Sequence, residues 1–375
     1  MGSALNRRQR YAVLVELSPD HGPILFSQCL LLLEEGFDVT VVVHQSNRDL
    51  ELLLTLEDRI RITVVSGRPL GLLLAVMQEQ MKNRADIVTI NTLNCRSLWL
   101  TAMVTLGPLS IVLHNLDNFG SGRKRALGFL ARLLLFRSKK IIVLSPKLKE
   151  RAFQILPGSA HHKVSVFFPM FYGNFGEEQD RGTSNAPKSR LTVVIPGSVG
   201  SRRNYRSLVA VLPQLADTSS MDRVVIKVLG DSSSDEGRWL RRAIAEVTPP
   251  GRIIVEASEG YLSHQEFFDQ IAGADYILPL IDNRVIEEWG YNRTSAPSSV
   301  MWSRAFSVPL ICSTDFDLDD DLRPFSLMYE GEQVWNGLVA AVQAQESGTL
   351  VRMKRTMLNT QLVWRKAASQ EYLHM

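Results

Sequence analysis

Residues 11–44, YAVLVELSPDHGPILFSQCLLLLEEGFDVTVVVH, decide the fold. Tyr11–Leu17 is an apolar run of strand length that Glu16 interrupts. Ile24–Glu35 has the length and composition of a helix, and Gly36 reads as its stop. Asp38–His44 follows, with VTVVVH β-branched and apolar on both faces, as a strand covered on both sides must be. The same alternation predicts strands at Ile60–Val65, Ala85–Asn91, Leu109–His114, Lys140–Leu144 and Lys163–Phe167. Helices are expected over 70–83, 96–106, 122–138 and 146–155. Residues 173–190, GNFGEEQDRGTSNAPKSR, are polar and without an apolar period, which is how a linker reads. Beyond them the alternation restarts. Strands are expected at Leu191–Ile195, Val224–Leu229, Arg252–Glu256, Tyr276–Leu280 and Pro309–Ser313. Helices are expected over Tyr205–Leu215, Glu236–Glu246, Ser263–Ile271 and Ser298–Phe306, and Gly331–Met375 reads as helical in two pieces. The predicted class is α/β, with two Rossmann-like doubly wound domains facing across a cleft. The expected boundaries are 1–175 and 191–345, joined by a linker at 176–190. A helical tail at 346–375 is placed to cross back to the first domain.

Bulk composition agrees with a globular chain. Of 375 residues, 45% are hydrophobic and 22% charged, and the formal net charge is +3, which does not announce nucleic acid. Cys29, Cys95 and Cys312 stand far apart among apolar neighbours, so they read as buried free thiols in a reducing compartment. The apolar run near the N-terminus is too short for a signal peptide, and Asn6 stands where a myristoylation motif wants Ser or Thr. No stretch has the length of a membrane-spanning helix. The expected location is cytoplasmic, with peripheral attachment to the inner face of the cell membrane as the variant. No metal is expected.

In open parallel sheets, ligands bind beyond the carboxyl ends of the strands, which directs attention to the residues after each strand. The first such turn, Ser18-Pro-Asp-His21-Gly22-Pro23, is neither a dinucleotide fingerprint nor a Walker loop. His21 reads equally as a cleft residue and as a solvent-facing turn residue. The strand ending at His114 continues as HNLDNFG, which sets His114 and Asp117 at a strand's carboxyl edge. A histidine there can donate to an oxygen or act as a base. The second half opens with VVIPGSVGSRRNYRSLV. Gly197 and Ser198 let backbone approach a ligand, Arg202 and Arg203 supply forked donors, and the helix start adds partial positive charge. That combination is a candidate diphosphate cradle. After Tyr276–Leu280 come Asp282, Glu287 and Glu288, then a Ser/Thr-rich stretch that starts a helix at Ser298 or Ser299.

Taken in order, these elements resemble the GT-B glycosyltransferases, most closely the family-4-like branch. The likeness rests on SPDHGPILFSQCLLLLEEGFDVTVV, on VLHNLDN, on IPGSVGSRRNYRSLV and on SSVMWSRAFSVPLICS, which resembles a family helix reading E-A-x-A-x-G-x-P-V-I. The tail LVWRKAASQEYL is similar to the family's terminal Trp-containing helix. The resemblance implies transfer of a sugar from a nucleotide-sugar co-substrate of UDP or GDP type, held by the second domain, to an acceptor held by the first. It implies no other cofactor. It puts the family's diphosphate-binding Arg and Lys on Ser198 and Arg203. The family's two glutamates, eight positions apart, fall on Thr294 and Trp302, so Asp282, Glu287 or Glu288 would have to serve the ribose or the sugar hydroxyls.

Between Phe119 and Lys149 every charged side chain is basic, and Leu127–Leu130 and Leu133–Phe136 lie among those charges. Such a stretch, 122–140, can lie on an anionic membrane surface, and it also reads as a core helix with solvated basic ends. The leading expectation is a glycosyltransferase of cell-envelope or exported polysaccharide synthesis with a glycan or lipid-linked acceptor. The alternatives are a nucleotide-sugar epimerase without nicotinamide and a catalytically inactive binding or scaffold subunit.

Overall fold

A computed structural model describes residues 9–16, 18, 21–47, 49–66, 69–92, 105, 107–119, 132–169, 190–216, 224–247, 253–281 and 295–373. The chain divides into two compact units, Met1–Tyr172 with Ala367–Met375, and Gly173–Lys366.

Unit 1 holds a seven-stranded sheet. Its strands are β1 (Arg10–Glu16), β2 (Phe37–His44), β3 (Ile60–Val65), β4 (Ile87–Ile90), β5 (Leu109–Leu113), β6 (Lys140–Val143) and β7 (Val164–Val166). They run in the order β3-β2-β1-β4-β5-β6-β7, and every pairing is parallel. Helix α1 (Gly22–Glu34) connects β1 to β2, and a short α2 (Leu50–Leu54) and α3 (Pro69–Asn83) follow. Helix α4 (Pro146–Ile155) leads from β6 to a 3-10 turn, Gly158–Lys163. Strands β4, β5 and β6 are buried along their whole lengths, which is why they read as unbroken apolar runs.

Unit 2 repeats the plan with β8 (Leu191–Ile195), β9 (Val224–Val228), β10 (Ile253–Ala257), β11 (Tyr276–Ile277), β12 (Leu310–Ser313) and β13 (Ser326–Tyr329). Their order is β10-β9-β8-β11-β12-β13, again all parallel. Its helices are α5 (Tyr205–Ala216), α6 (Asp235–Val247), α7 (His264–Ala272), α8 (Ser298–Phe306), α9 (Val334–Glu346) and the first part of α10 (Thr349–Leu373). Leu191, Val193, Ile195, Leu208, Leu212 and Leu240 form part of its buried core. The break between α9 and α10 falls at Gly348, whose φ of 70° suits a residue without a Cβ.

The last helix changes allegiance along its length, because its residues from Ala367 onward belong to unit 1. There the Tyr372 hydroxyl meets Thr89 Oγ1 of β4 at 3.1 Å, and its ring lies 5.0 Å from that of Phe167. Lys140 Nζ donates to the carbonyls of Glu371 and Tyr372, placing a cation on the helix C-terminus.

The two-sheet α/β architecture agrees with the sequence reading. Three elements differ from it. Strand β13 and helix α2 were not expected, and β11 ends at Ile277 instead of Leu280 because Leu280 turns to a φ of 51°. The predicted helices at 96–106 and 122–138 and the linker at 176–190 lie largely outside the described residues. Cys29 and Cys312 are buried free thiols whose pKa burial raises; Cys95 lies outside the described residues.

Candidate functional site

Both sheets reverse strand order beside their first strand, between β1 and β4 and between β8 and β11. Connections on either side of such a switch point leave in opposite directions and open a crevice at the strands' carboxyl ends. The sequence candidates within the described residues lie on loops near these two places.

In unit 1 the crevice is built from the loop after β1. Ser18 N–H donates to Glu16 Oε1 at 2.8 Å, and Thr92 Oγ1 donates to Glu16 Oε2 at 2.7 Å. Asn47 Nδ2 holds the Ser18 carbonyl at 3.1 Å, and Asp49 Oδ2 accepts the Gly22 N–H at 2.7 Å. Asp49 therefore supplies the negative charge that the start of α1 attracts, and a Cβ at Gly22 would overlap its side chain. His21, at the helix N-cap, is left-handed with a φ of 77°. That conformation is uncommon outside glycine, though histidine adopts it more readily than most, and such strain collects at functional sites.

His21 stacks on His114 with ring centroids 3.9 Å apart and planes 27° apart. The His114 ring bonds to the backbone of Asn91, the residue that follows β4, while its Nε2 is buried without a partner. A bond to that carbonyl requires the proton on Nδ1, which leaves Nε2 as a lone-pair acceptor. Loss of water around the ring lowers the His114 pKa well below the ordinary histidine value, and the neighbouring His21 lowers it further; the Asn91 carbonyl works the other way. His114 is thus neutral at pH 7. The Asn91 side chain is also fully buried, with both its Nδ2 and Oδ1 unpartnered. Asp117 lies in the 3-10 turn Leu116–Phe119.

Neutral burial of His114 has a pH consequence. The unfolded chain takes up a proton near pH 6.5 and the folded one does not, so acidification favours unfolding. Urea unfolding is expected to show stability falling from pH 7 towards pH 5, by at most about 1.4 kcal/mol per pH unit from this group. In His114→Gln that part of the loss disappears; an identical pH profile would mean that the ring titrates normally.

In unit 2 the crevice is closed by backbone. Gly197, with a φ of 97°, is so placed that a Cβ would stand 2.6 Å from Arg203 Nη2 and 3.6 Å from Ser298 Oγ. A Cβ on Gly230, after β9, would overlap the Gly197 carbonyl, so two strand-end loops touch main chain to main chain. Arg203 donates through Nε to the Ser198 carbonyl at 3.3 Å, through Nη1 to the Pro279 carbonyl and through Nη2 to the Pro196 carbonyl. It ties the β8 loop to the end of β11, a link completed by its bridge to Ile281 and by Asn204 N–H to the Leu280 carbonyl at 2.8 Å. Its forked donors are therefore largely committed to three carbonyls, where the sequence reading sets them on a diphosphate, and only the remaining N–H groups are left for a ligand. Arg202 is exposed.

Helix α8 begins at Ser298 behind Pro297, which offers no side-chain cap, and its first turn carries no acid. Ser299 Oγ is buried there without a partner. An uncapped helix start with a waiting hydroxyl is suited to an anion, in contrast to α1, whose start Asp49 already occupies. At the other end of α8, fully buried Arg304 pairs with Asp319 and Asp321, each at 2.7 Å. Trp302, at one position that the resemblance gives to a glutamate, packs against Phe267, Phe268 and Phe306, so it belongs to the core. Asp282, Glu287, Glu288 and Thr294 lie outside the described residues. The described residues contain no group of three His, Cys, Asp or Glu able to hold a metal ion.

Sequence reasoning put His21, His114, Gly197 and Arg203 in loops that follow strands and Ser298 at the start of a helix. It missed Glu16, Asn47, Asp49, Thr92 and Asn91, which hold the first loop or surround His114. Glu16, a carboxylate inside an otherwise apolar strand, was the one visible signal.

No protein-family model matches the sequence, and neither does any curated protein. Solved structures match over nearly the whole chain. A glycosyltransferase from Rickettsia africae aligns over 98% of this chain and 97% of its own, with TM-score 0.68 and 12% identity. Anabaena Alr3699/HepE in complex with UDP aligns over 96% and 98%, with TM-score 0.66 and 11% identity. A UDP-N-acetylglucosamine 2-epimerase fold from Listeria monocytogenes aligns over 94% and 91%, with TM-score 0.59 and 10% identity. At such identities the likeness defines the fold, which is that of the GT-B glycosyltransferases.

Proposed function

We propose that this chain transfers a sugar from a nucleoside-diphosphate sugar to a glycan or lipid-linked acceptor, in the synthesis of a cell-envelope or exported polysaccharide. The convergence of Gly197, the uncommitted N–H groups of Arg203 and the uncapped start of α8 carries the reading. In it, the diphosphate lies on the α8 start, against Ser298 and Ser299, where the helix dipole and the arginine meet its growing charge as the bond to the sugar breaks. His114 Nε2 accepts the proton of the acceptor hydroxyl as that oxygen bonds to the sugar's anomeric carbon, and the electron pair of the broken bond leaves with the diphosphate. UDP is the first nucleotide to test, because a neighbour of the same fold holds it.

UDP at 100 times its Kd is expected to add about 2.7 kcal/mol to stability, read as a rise in Tm. Gly197→Ala forces a Cβ against Arg203 Nη2 at a left-handed position and should weaken UDP about tenfold or more. A panel of UDP, GDP and their sugars that gives no shift would leave the inactive-scaffold reading in place. The epimerase fold keeps a second enzyme reading alive, and conversion of a UDP-sugar to its C2 epimer without any acceptor would favour it.

A further inference from the structure

Three polar atoms at the carboxyl edge of the unit 1 sheet are buried without a partner: Nε2 of His114 and both ends of the Asn91 amide. Buried donors and acceptors are paired in nearly all cases, so orphans gathered at one place call for a ligand group that completes them. Strand pairing sets the two side chains on one face. Thr89 lies opposite Ser110 in the ladder of β4 and β5; Asn91 stands two residues beyond Thr89, and His114 four beyond Ser110. Side chains two apart along a strand share a face, so both fall on the side of the sheet where Thr89 meets Tyr372. The pairing persists as far as Asn91, whose N–H donates to the Val15 carbonyl at 2.9 Å. On the other flank Leu14 lies opposite Thr89, which brings Glu16 beside Asn91. Glu16 and Asn91 are both fully buried. The Asn91 main chain already serves His114 by holding its ring, and the side chain beside it has no such task.

The three atoms ask for a particular partner. With its proton on Nδ1, the His114 ring only accepts at Nε2, while Asn91 Nδ2 only donates and Asn91 Oδ1 only accepts. One hydroxyl can give its proton to His114 and take a bond from Asn91 Nδ2, and a hydroxyl on the next carbon can donate to Asn91 Oδ1. A phosphate offers acceptors alone. It would meet lone pairs on the His114 ring and on the Glu16 carboxyl, which itself accepts from Ser18 N–H and Thr92 Oγ1. A simple alcohol would leave Asn91 Oδ1 unpaired. We infer that Asn91 is an acceptor-binding residue and that the acceptor presents a vicinal diol, with the nucleophilic hydroxyl at His114 and its neighbour on the Asn91 amide. The inference deepens the proposed function and rests on its use of His114 as the base. It selects a sugar hydroxyl, in place of a phosphate or a simple alcohol, as the group that receives the transferred sugar.

UDP release from a panel of UDP-sugars, with membrane extract as the source of acceptor, tests it on the full chain. Periodate cleaves the carbon–carbon bond of a vicinal diol. Extract oxidised with periodate and quenched with ethylene glycol is expected to lose its acceptor activity, whereas extract treated with alkaline phosphatase keeps it. Asn91→Leu spares the main-chain carbonyl that holds His114. It should slow release about tenfold at limiting extract and regain much of the rate at high extract, as a loss of acceptor binding does. The loss in His114→Ala should stand at every extract concentration. Asn91→Ala serves as the second variant, and in urea unfolding at least one of the two is expected to be as stable as the parent, because an unpaired buried amide is being removed. Acceptor activity that survives periodate, unaltered release by both variants, or marked instability of both overturns the inference and leaves sugar transfer standing. Absence of release from any UDP-sugar, with or without a Tm shift by UDP, removes sugar transfer and the diol with it.

Discussion

His114→Ala is expected to slow sugar transfer by about 10²–10⁴-fold, the range for a positioned general base, while the Tm shift with UDP stays as in the parent chain. The split follows from where the parts sit. Nucleotide contacts are assigned to unit 2, and His114 follows β5 in unit 1. Its readiness as a base comes from three features that a residue merely filling space would not need. The Asn91 carbonyl fixes the tautomer, Nε2 is left without a partner, and burial beside His21 keeps the ring neutral. Release of UDP from a panel of UDP-sugars, with membrane extract as the source of acceptor, provides the assay. An undiminished rate would take His114 out of the chemistry, and a parallel loss of the UDP shift would point to a general collapse of the fold.

The largest stability effect is expected from Arg304→Ala, about 3–5 kcal/mol in urea unfolding. Arg304 is 1% exposed and Asp319 3%, so the truncation leaves a carboxylate buried without its cation. Asp321, at 31% exposure, can turn to water and adds less. The pair ties α8 to the segment after β12, and the guanidinium also sits in the last turn of α8, where a cation suits the helix dipole. Replacing charge by shape should separate the two contributions. Arg304→Met with Asp319→Leu is expected to recover most of the loss, because a buried ion pair often exchanges for apolar packing at little cost. A double variant as unstable as Arg304→Ala would mean that geometry specific to the ion pair holds α8 in place. Because the start of α8 is the proposed diphosphate seat, the same variants report whether the helix must be anchored at its far end for UDP to bind.

The architecture was legible because strands covered on both faces leave a plain trace. VTVVVH and LTVVI could not be helices facing water on one side. Strand β13 left no such trace, since SLMY is only four residues long and three of them are half-buried at the sheet's edge. The turn of the chain at Leu280, which shortens β11, depends on partners far away in sequence. Gly197 could be recognised as a point of close approach from its neighbours alone. The partners of Arg203 could not, because Pro279 lies 76 positions away and enters only when β8 pairs with β11. The same holds for Asn91 and His114, which meet because β4 and β5 are neighbours. Trp302 shows the limit of a family pattern: the helix keeps its place while its side chain joins Phe267, Phe268 and Phe306 in the core.

The allegiance of the last helix sets the order in which the molecule can be finished. Tyr372 fills a place against Thr89 and Phe167, and Lys140 reaches its final partners only in residues 371 and 372. On the ribosome, the lobe that is translated first must therefore wait with an open seam until residues 367–373 have emerged.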